Sequence, residues 1–206
     1  MARRKGKELR LTDQKRRGIL AAAVNEFQQN GFAGTSMDRI AATADVSKRT
    51  VYNHFPSKDD LFEAIVAELL GRCGGLEIAY ESDLKLSVQL ESIGRQYADM
   101  LTSGDFMKLA RVVLSRFIHS PELAGSMVPG QDKTNKAIVG WIQAAKKDGR
   151  LKVRNVQHAG TQFSSLLKAF VFWPQLIGNQ KAPSKRERTQ CVKSAVAMFL
   201  DHYETN

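Results

Sequence analysis

Apolar residues recur along most of this chain at the three-and-four spacing of helices, without the two-residue alternation of half-buried strands. The first stripe, Ile19, Leu20, Ala23, Val24 and Phe27, predicts a helix over 13–30, with Thr12 or Asp13 as cap and Gly31 as a left-handed stop. After the linker "GFAGTS", Ser36 caps a short helix, "MDRIAATA", that turns Met37, Ile40 and Ala41 inward. "DVS" is a tight turn, and Ser47 caps a third helix, "KRTVYNHF", that ends before Pro56. Ser57 opens a fourth helix with Asp59 and Asp60 in its first turn, where carboxylates favour the dipole. Its stripe runs Leu61, Phe62, Ile65, Val66, Leu69, Leu70, and Gly74-Gly75 breaks it.

Longer, greasier helices follow over 83–103, 106–119 and 155–173, the last stopped at Pro174. Pro121 begins another segment. "VPGQD" is expected to interrupt it before a helix over 133–147 that "KDGR" closes, and a final helix covers 184–203. The fold class is therefore all-α. A short-helix domain over 1–56 leads through a connecting helix over 57–75 to a larger helical domain over 76–206.

Composition narrows the function. No apolar run approaches the ~18–20 residues that span a bilayer. The basic N-terminus has no apolar segment behind it, so a secretory signal is not expected and the cytoplasm is the default location. Cys73 and Cys191 match no metal or redox spacing, and His54, His119, His158 and His202 are scattered, so neither metal nor cofactor is expected. Net charge is +10, and residues 1–17 hold eight cations against two acids. Such an arm is either a solvated tail or a segment that lies along nucleic-acid phosphate.

The helix, turn and helix over about 35–55 form a helix-turn-helix pattern, whose second helix enters the major groove. Ala41, Val46 and Val51 are placed to pack the two helices together. Lys48, Arg49, Thr50, Tyr52, Asn53 and His54 lie on or beside the outer face, where Arg and Asn read bases and Lys, Tyr and Thr meet phosphate. A solvated face usually carries Glu, and Glu is absent between Gly31 and Asp60.

The stretch "ILAAAVNEFQQNGFAGTSMDRIAATADVSKRTVYNHFPSKDDLFEAIV" resembles the TetR family of bacterial transcriptional regulators. "RVVLSRFIHSPELAGSMVPG" and "IQAAKKDGRLKVRNVQHAGTQFSSLL" look like that family's AefR-like C-terminal subgroup. The resemblance implies that Thr35 and Ser36 touch phosphate at the start of the second helix. It implies a DNA face of Ser47, Lys48, Arg49, Thr50, Tyr52, Asn53 and His54, and a phosphate grip by Lys58. Many members carry glycine where this chain has Arg49, a long bidentate donor suited to guanine. His54 is equally readable as a helix-end packing residue.

The same resemblance implies a homodimer, an all-helical ligand-binding domain and a nucleoid-associated bacterial protein. Two apolar stripes, including Phe163, Leu167 and Phe170 on one helix and Val192, Ala195, Val196 and Phe199 on another, are candidates for the dimer interface; the alternative is packing within their own chain. Phe106, Met107, Phe117, Trp141, Phe163, Phe170 and Trp173 are pocket candidates, each more simply read as core. Arg111, Arg116 and His119 lie among apolar residues and either meet an anionic ligand, face solvent or pair with acids. The expected partners are a double-stranded palindromic operator and a small apolar or amphipathic effector that releases a repressor from it. The rivals are an activator, a ligand-independent or architectural DNA-binding protein, and an enzyme, for which no nucleophile elbow, phosphate loop or carboxylate pair speaks.

Overall fold

The computed structural model describes residues 2–76, 78–128 and 135–205, with side chains from residue 11 onward. Eleven helices make up the described residues: α1 (Ala2–Gly34), α2 (Met37–Thr43), α3 (Lys48–His54), α4 (Lys58–Gly74), α5 (Leu86–Thr102), α6 (Gly104–His119), α7 (Pro121–Met127), α8 (Lys136–Lys147), α9 (Val156–Val171), α10 (Trp173–Leu176) and α11 (Lys185–Tyr203). The only β pairing among the described residues is an isolated antiparallel bridge between Leu151 and Glu204. Among the described residues no helix is long and apolar enough to cross a membrane. The expected "VPGQD" interruption lies largely outside the described residues.

Local signals explain most boundaries. Ser36 accepts from Arg39 N, Ser47 from Thr50 N and Ser57 from Asp60 N, so each expected N-cap takes up an otherwise unpaired donor. α1 departs from expectation. It continues back to Ala2 rather than starting at Thr12 or Asp13, because Ala, Arg, Lys, Leu and Glu before that point are good helix formers and a polar cap residue does not oblige a helix to stop. It breaks at Gly31, whose φ of 70° is positive as expected. The ψ of 167° is extended rather than left-handed helical, a region open essentially to glycine alone. Pro174 does not stop α9. α9 ends earlier, at Val171, and Pro174 sits in the first turn of α10, where its missing N–H has no helical partner to lose.

The chain forms two compact units, Met1–Leu69 with Lys108–Met127, and Leu70–Met107 with Val128–Asn206. In the first, Ile19, Phe27, Ile40, Val51, Leu61 and Phe62 are buried together with Val113 and Phe117 of α6. Tilted and edge-on ring contacts link Phe27 to Phe32, Phe32 to Phe62 and Phe62 to Phe117, with centroids 5.2–6.0 Å apart. In the second, α5, α9 and α11 pack on one another and α8 packs on α9. Gly94 permits the closest approach, since a Cβ there would lie 2.7 Å from Val192 Cγ1.

Candidate nucleic-acid interface

The turn between α2 and α3 is set by backbone bonds from Ala44 N to Ile40 O and from Val46 N to Ala41 O, with Asp45 at a positive φ of 51°. Asp tolerates that region better than most residues, since its short polar side chain can bond locally. Val51 and Phe55 point inward and are buried, which fixes the rotation of α3. Ser47, Lys48, Arg49, Tyr52 and Asn53 are consequently exposed, and Thr50 and His54 are half-exposed. Lys48 Nζ meets Asp38 Oδ2 at 2.5 Å on the open surface, a contact worth little in water and easily exchanged for phosphate. Among the described residues no side-chain hydrogen bond or ion pair engages Arg49, Tyr52 or Asn53. Tyr52 is 49% exposed, unusual for a large aromatic ring with no local partner.

A buried carboxylate braces this pair of helices. Glu26 of α1 accepts from Thr43 Oγ1 at 2.6 Å and from Asn30 Nδ2 at 3.0 Å, and it pairs with Arg39 Nε at 2.8 Å. It ties both ends of α2 to α1. Sequence reasoning passed over it because a Glu beside a helix stripe usually faces water.

Two residues expected to touch phosphate are engaged elsewhere. Thr35 is buried, and its hydroxyl donates to Gly31 O at 2.8 Å and Glu26 O at 3.1 Å. Lys58 Nζ donates to Phe32 O at 2.7 Å and Thr35 O at 2.8 Å and lies 4.4 Å from the Phe32 ring centroid. Both close the break at the end of α1, whose terminal carbonyls lack helical donors. Ser36 is exposed and serves as the α2 cap. His54 ends α3 with its ring 6.4 Å from Phe55. The basic arm is helical backbone, and Arg16 lies 4.9 Å over the Phe55 ring.

The second unit corrects the interface stripes read from the sequence. Phe163, Leu167, Val192, Ala195, Val196 and Phe199 are buried inside their own chain, with Phe163 and Phe199 5.5 Å apart. Periodicity locates a stripe, but the strongest stripe on a helix goes to the intrachain core. Of the expected interface residues only Phe170 stays exposed, on an outer surface that also carries exposed Ser165, Ala169 and Met198. Two open grooves lie along these helices. One of about 440 Å³ is lined by Ser165, Ala169, Met198 and Tyr203; one of about 600 Å³ by Phe170, Pro174, Cys191 and Lys181.

Of the pocket candidates, Phe106, Met107, Trp141 and Phe163 are core, and Trp141 Nε1 donates to Gln89 Oε1 at 3.0 Å. Phe117 belongs to the first unit. Phe170 and Trp173 remain accessible, at 67% and 44% exposure. Burial pushes the Cys73 and Cys191 thiols up, Cys73 being partly offset by Lys168, so neither is a ready thiolate. Burial also raises Tyr97, which stays a neutral phenol bonded to Ser164.

A helix rotated outward on a four-residue connection, with cations, an amide and an aromatic ring on its open side, defines a helix-turn-helix DNA-binding protein. Residues 19–65 match the family of bacterial regulatory proteins called tetR, and residues 88–205 match the C-terminal domain of AefR-like transcriptional repressors. The chain belongs to the TetR family. It is 31% identical to the transcriptional regulator AcrR of Shigella flexneri over 98% of this chain and 94% of that protein. It is similar to the structure of a TetR family regulator from Pseudomonas syringae pv. tomato, with 45% identity, a TM-score of 0.82, and 94% and 99% of the two chains covered. It is also similar to that of the flavonoid-responsive regulator FrrA, with 26% identity, a TM-score of 0.72, and 94% and 99% of the two chains covered. The protein is thus a DNA-binding transcriptional regulator rather than an enzyme. Regulators of this family bind operator DNA as homodimers and take small-molecule ligands.

Proposed function

We propose that this protein is a repressor whose dimer sets two copies of α3 in successive major grooves of a palindromic operator, ~34 Å apart. It leaves the DNA when a small apolar or amphipathic molecule binds the second unit. The observation that carries the DNA reading is the open side of α3, where exposed Arg49, Tyr52 and Asn53 have no side-chain hydrogen bond or ion pair among the described residues. Arg49 and Asn53 act as base readers. Ser36, Ser47, Lys48, Thr50 and Tyr52 hold phosphate, His54 borders the face, and Thr35 and Lys58 position it from behind.

The dimer forms across the outer faces of α9 and α11, where Ser165 and Ala169 are small enough for close helix approach beside Met198. The effector lies in the groove lined by Phe170 and Pro174. FrrA is by its name responsive to flavonoids, and a planar aromatic effector suits a groove with an exposed Phe. An effector shifts the equilibrium only by its differential affinity for the two states, typically ~1–3 kcal/mol.

The test is selection of bound sequences from a random duplex pool, followed by titration of the winner at several salt concentrations. A palindrome with a steep salt slope is the expected result. Tight, salt-sensitive binding with no enriched motif would instead favour an architectural role.

A further inference from the structure

The three side chains that the sequence leaves between solvent, acids and an anionic ligand, Arg111, Arg116 and His119, share one cavity of about 790 Å³ within the first unit. Its other wall is the end of α1, with Phe27 and Phe32, and Val112 of α6 adds to the apolar lining. No Asp or Glu lines it among the described residues. Arg116 has two of its functions taken. Nη2 meets Asp59 Oδ1 at 2.5 Å, and the guanidinium carbon stacks 3.2 Å over the Phe32 ring and 4.5 Å from that of Phe62. Those contacts hold the plane of the group. Its Nη1 is buried and meets no acceptor among the described residues. A buried guanidinium N–H held rigidly without an acceptor is a strong donor for an incoming anion, since little ordering is left to be done. His119 is kept at the mouth by a 2.8 Å contact between Nδ1 and Ser115 O.

We propose that this cavity is a second small-molecule site, separate from the groove in the other unit, that takes an organic carboxylate with an apolar body. One carboxylate oxygen accepts from Arg116 Nη1, Arg111 adds positive charge, and the hydrocarbon part lies against Phe27, Phe32 and Val112. The mixture decides the class. Charge without a carboxylate in the lining selects an anion, and an apolar wall of this extent disfavours a fully hydrated one such as phosphate.

The experiment is isothermal titration of the full chain with octanoate, 1-octanol and inorganic phosphate, in wild type, Arg116→Gln and Ser115→Trp. Ser115 is exposed at the cavity lining, so an indole there blocks the space without entering the core, whether or not Arg116→Gln folds. The expected result is a one-per-chain octanoate site that is lost in Ser115→Trp and weakened about tenfold or more in Arg116→Gln, with 1-octanol and phosphate showing no such site. Octanoate binding unchanged by Ser115→Trp overturns the location. Octanol binding as tightly as octanoate overturns the role of Arg116, and phosphate matching octanoate overturns the role of the apolar wall.

Discussion

Lys58→Met separates two accounts of a residue that sits close to DNA in sequence pattern yet faces its own backbone in the fold. Methionine keeps the apolar stem and removes the ammonium. In the structure that ammonium makes two charge-assisted bonds, to Phe32 O and Thr35 O, and approaches the Phe32 ring at 4.4 Å. Bonds to a charged group contribute ~1.5–3 kcal/mol each when buried. Lys58 is half-exposed, water reaches the vacated carbonyls, and Phe32 O keeps a long bond from Thr35 N at 3.4 Å, so each bond falls below that range, at ~1 kcal/mol. The two bonds then amount to ~2 kcal/mol, and the cation above the ring adds ~0.5 kcal/mol. For a unit of this size the loss lowers the midpoint of thermal unfolding by on the order of 10 °C. The assay is scanning calorimetry paired with operator titration across salt. Affinity falls modestly as the α1–α2 junction loosens, and the slope of log affinity against log salt stays at the wild-type value. A true phosphate contact would do the reverse, lowering the slope by about 0.9 for each bound subunit while sparing stability. A variant that melts with the wild type and loses that slope refutes the positioning role.

Arg49→Ala should relax base preference at one operator position by ~1–3 kcal/mol, seen in competition against single-base variants; a uniform loss across sequences would make Arg49 a phosphate contact. Met198→Glu should shift sedimentation from dimer to monomer, because a charge would be buried between the outer faces of α9 and α11. Gly94→Ala should destabilise the second unit by ~1–2 kcal/mol in urea. Alanine gains ~1 kcal/mol of helix propensity over glycine, but its Cβ would fall 2.7 Å from Cγ1 of Val192, a stiff, buried β-branched side chain that cannot swing aside.

The sequence by itself determined the all-helical class, the caps at Ser36, Ser47 and Ser57, the glycine break at Gly31 and the helix-turn-helix. Each of these is a local matter, settled by backbone donors, by φ and by apolar spacing within a few residues. The exposed side of α3 was legible for the same reason, since Val51 and Phe55 orient the helix and leave Arg49, Tyr52 and Asn53 outside. Only the tertiary structure decided what depends on distant neighbours. Lys58 pairs with carbonyls 26 and 23 residues back in the chain, which no spacing rule connects. Glu26 is a brace because Arg39 and Thr43 fold onto it. The stripes of α9 and α11 are intrachain core because the two helices pack on each other and on α5. Arg116 reaches a cavity in the first unit because α6 divides between the two units at Met107 and Lys108, a partition invisible in one dimension.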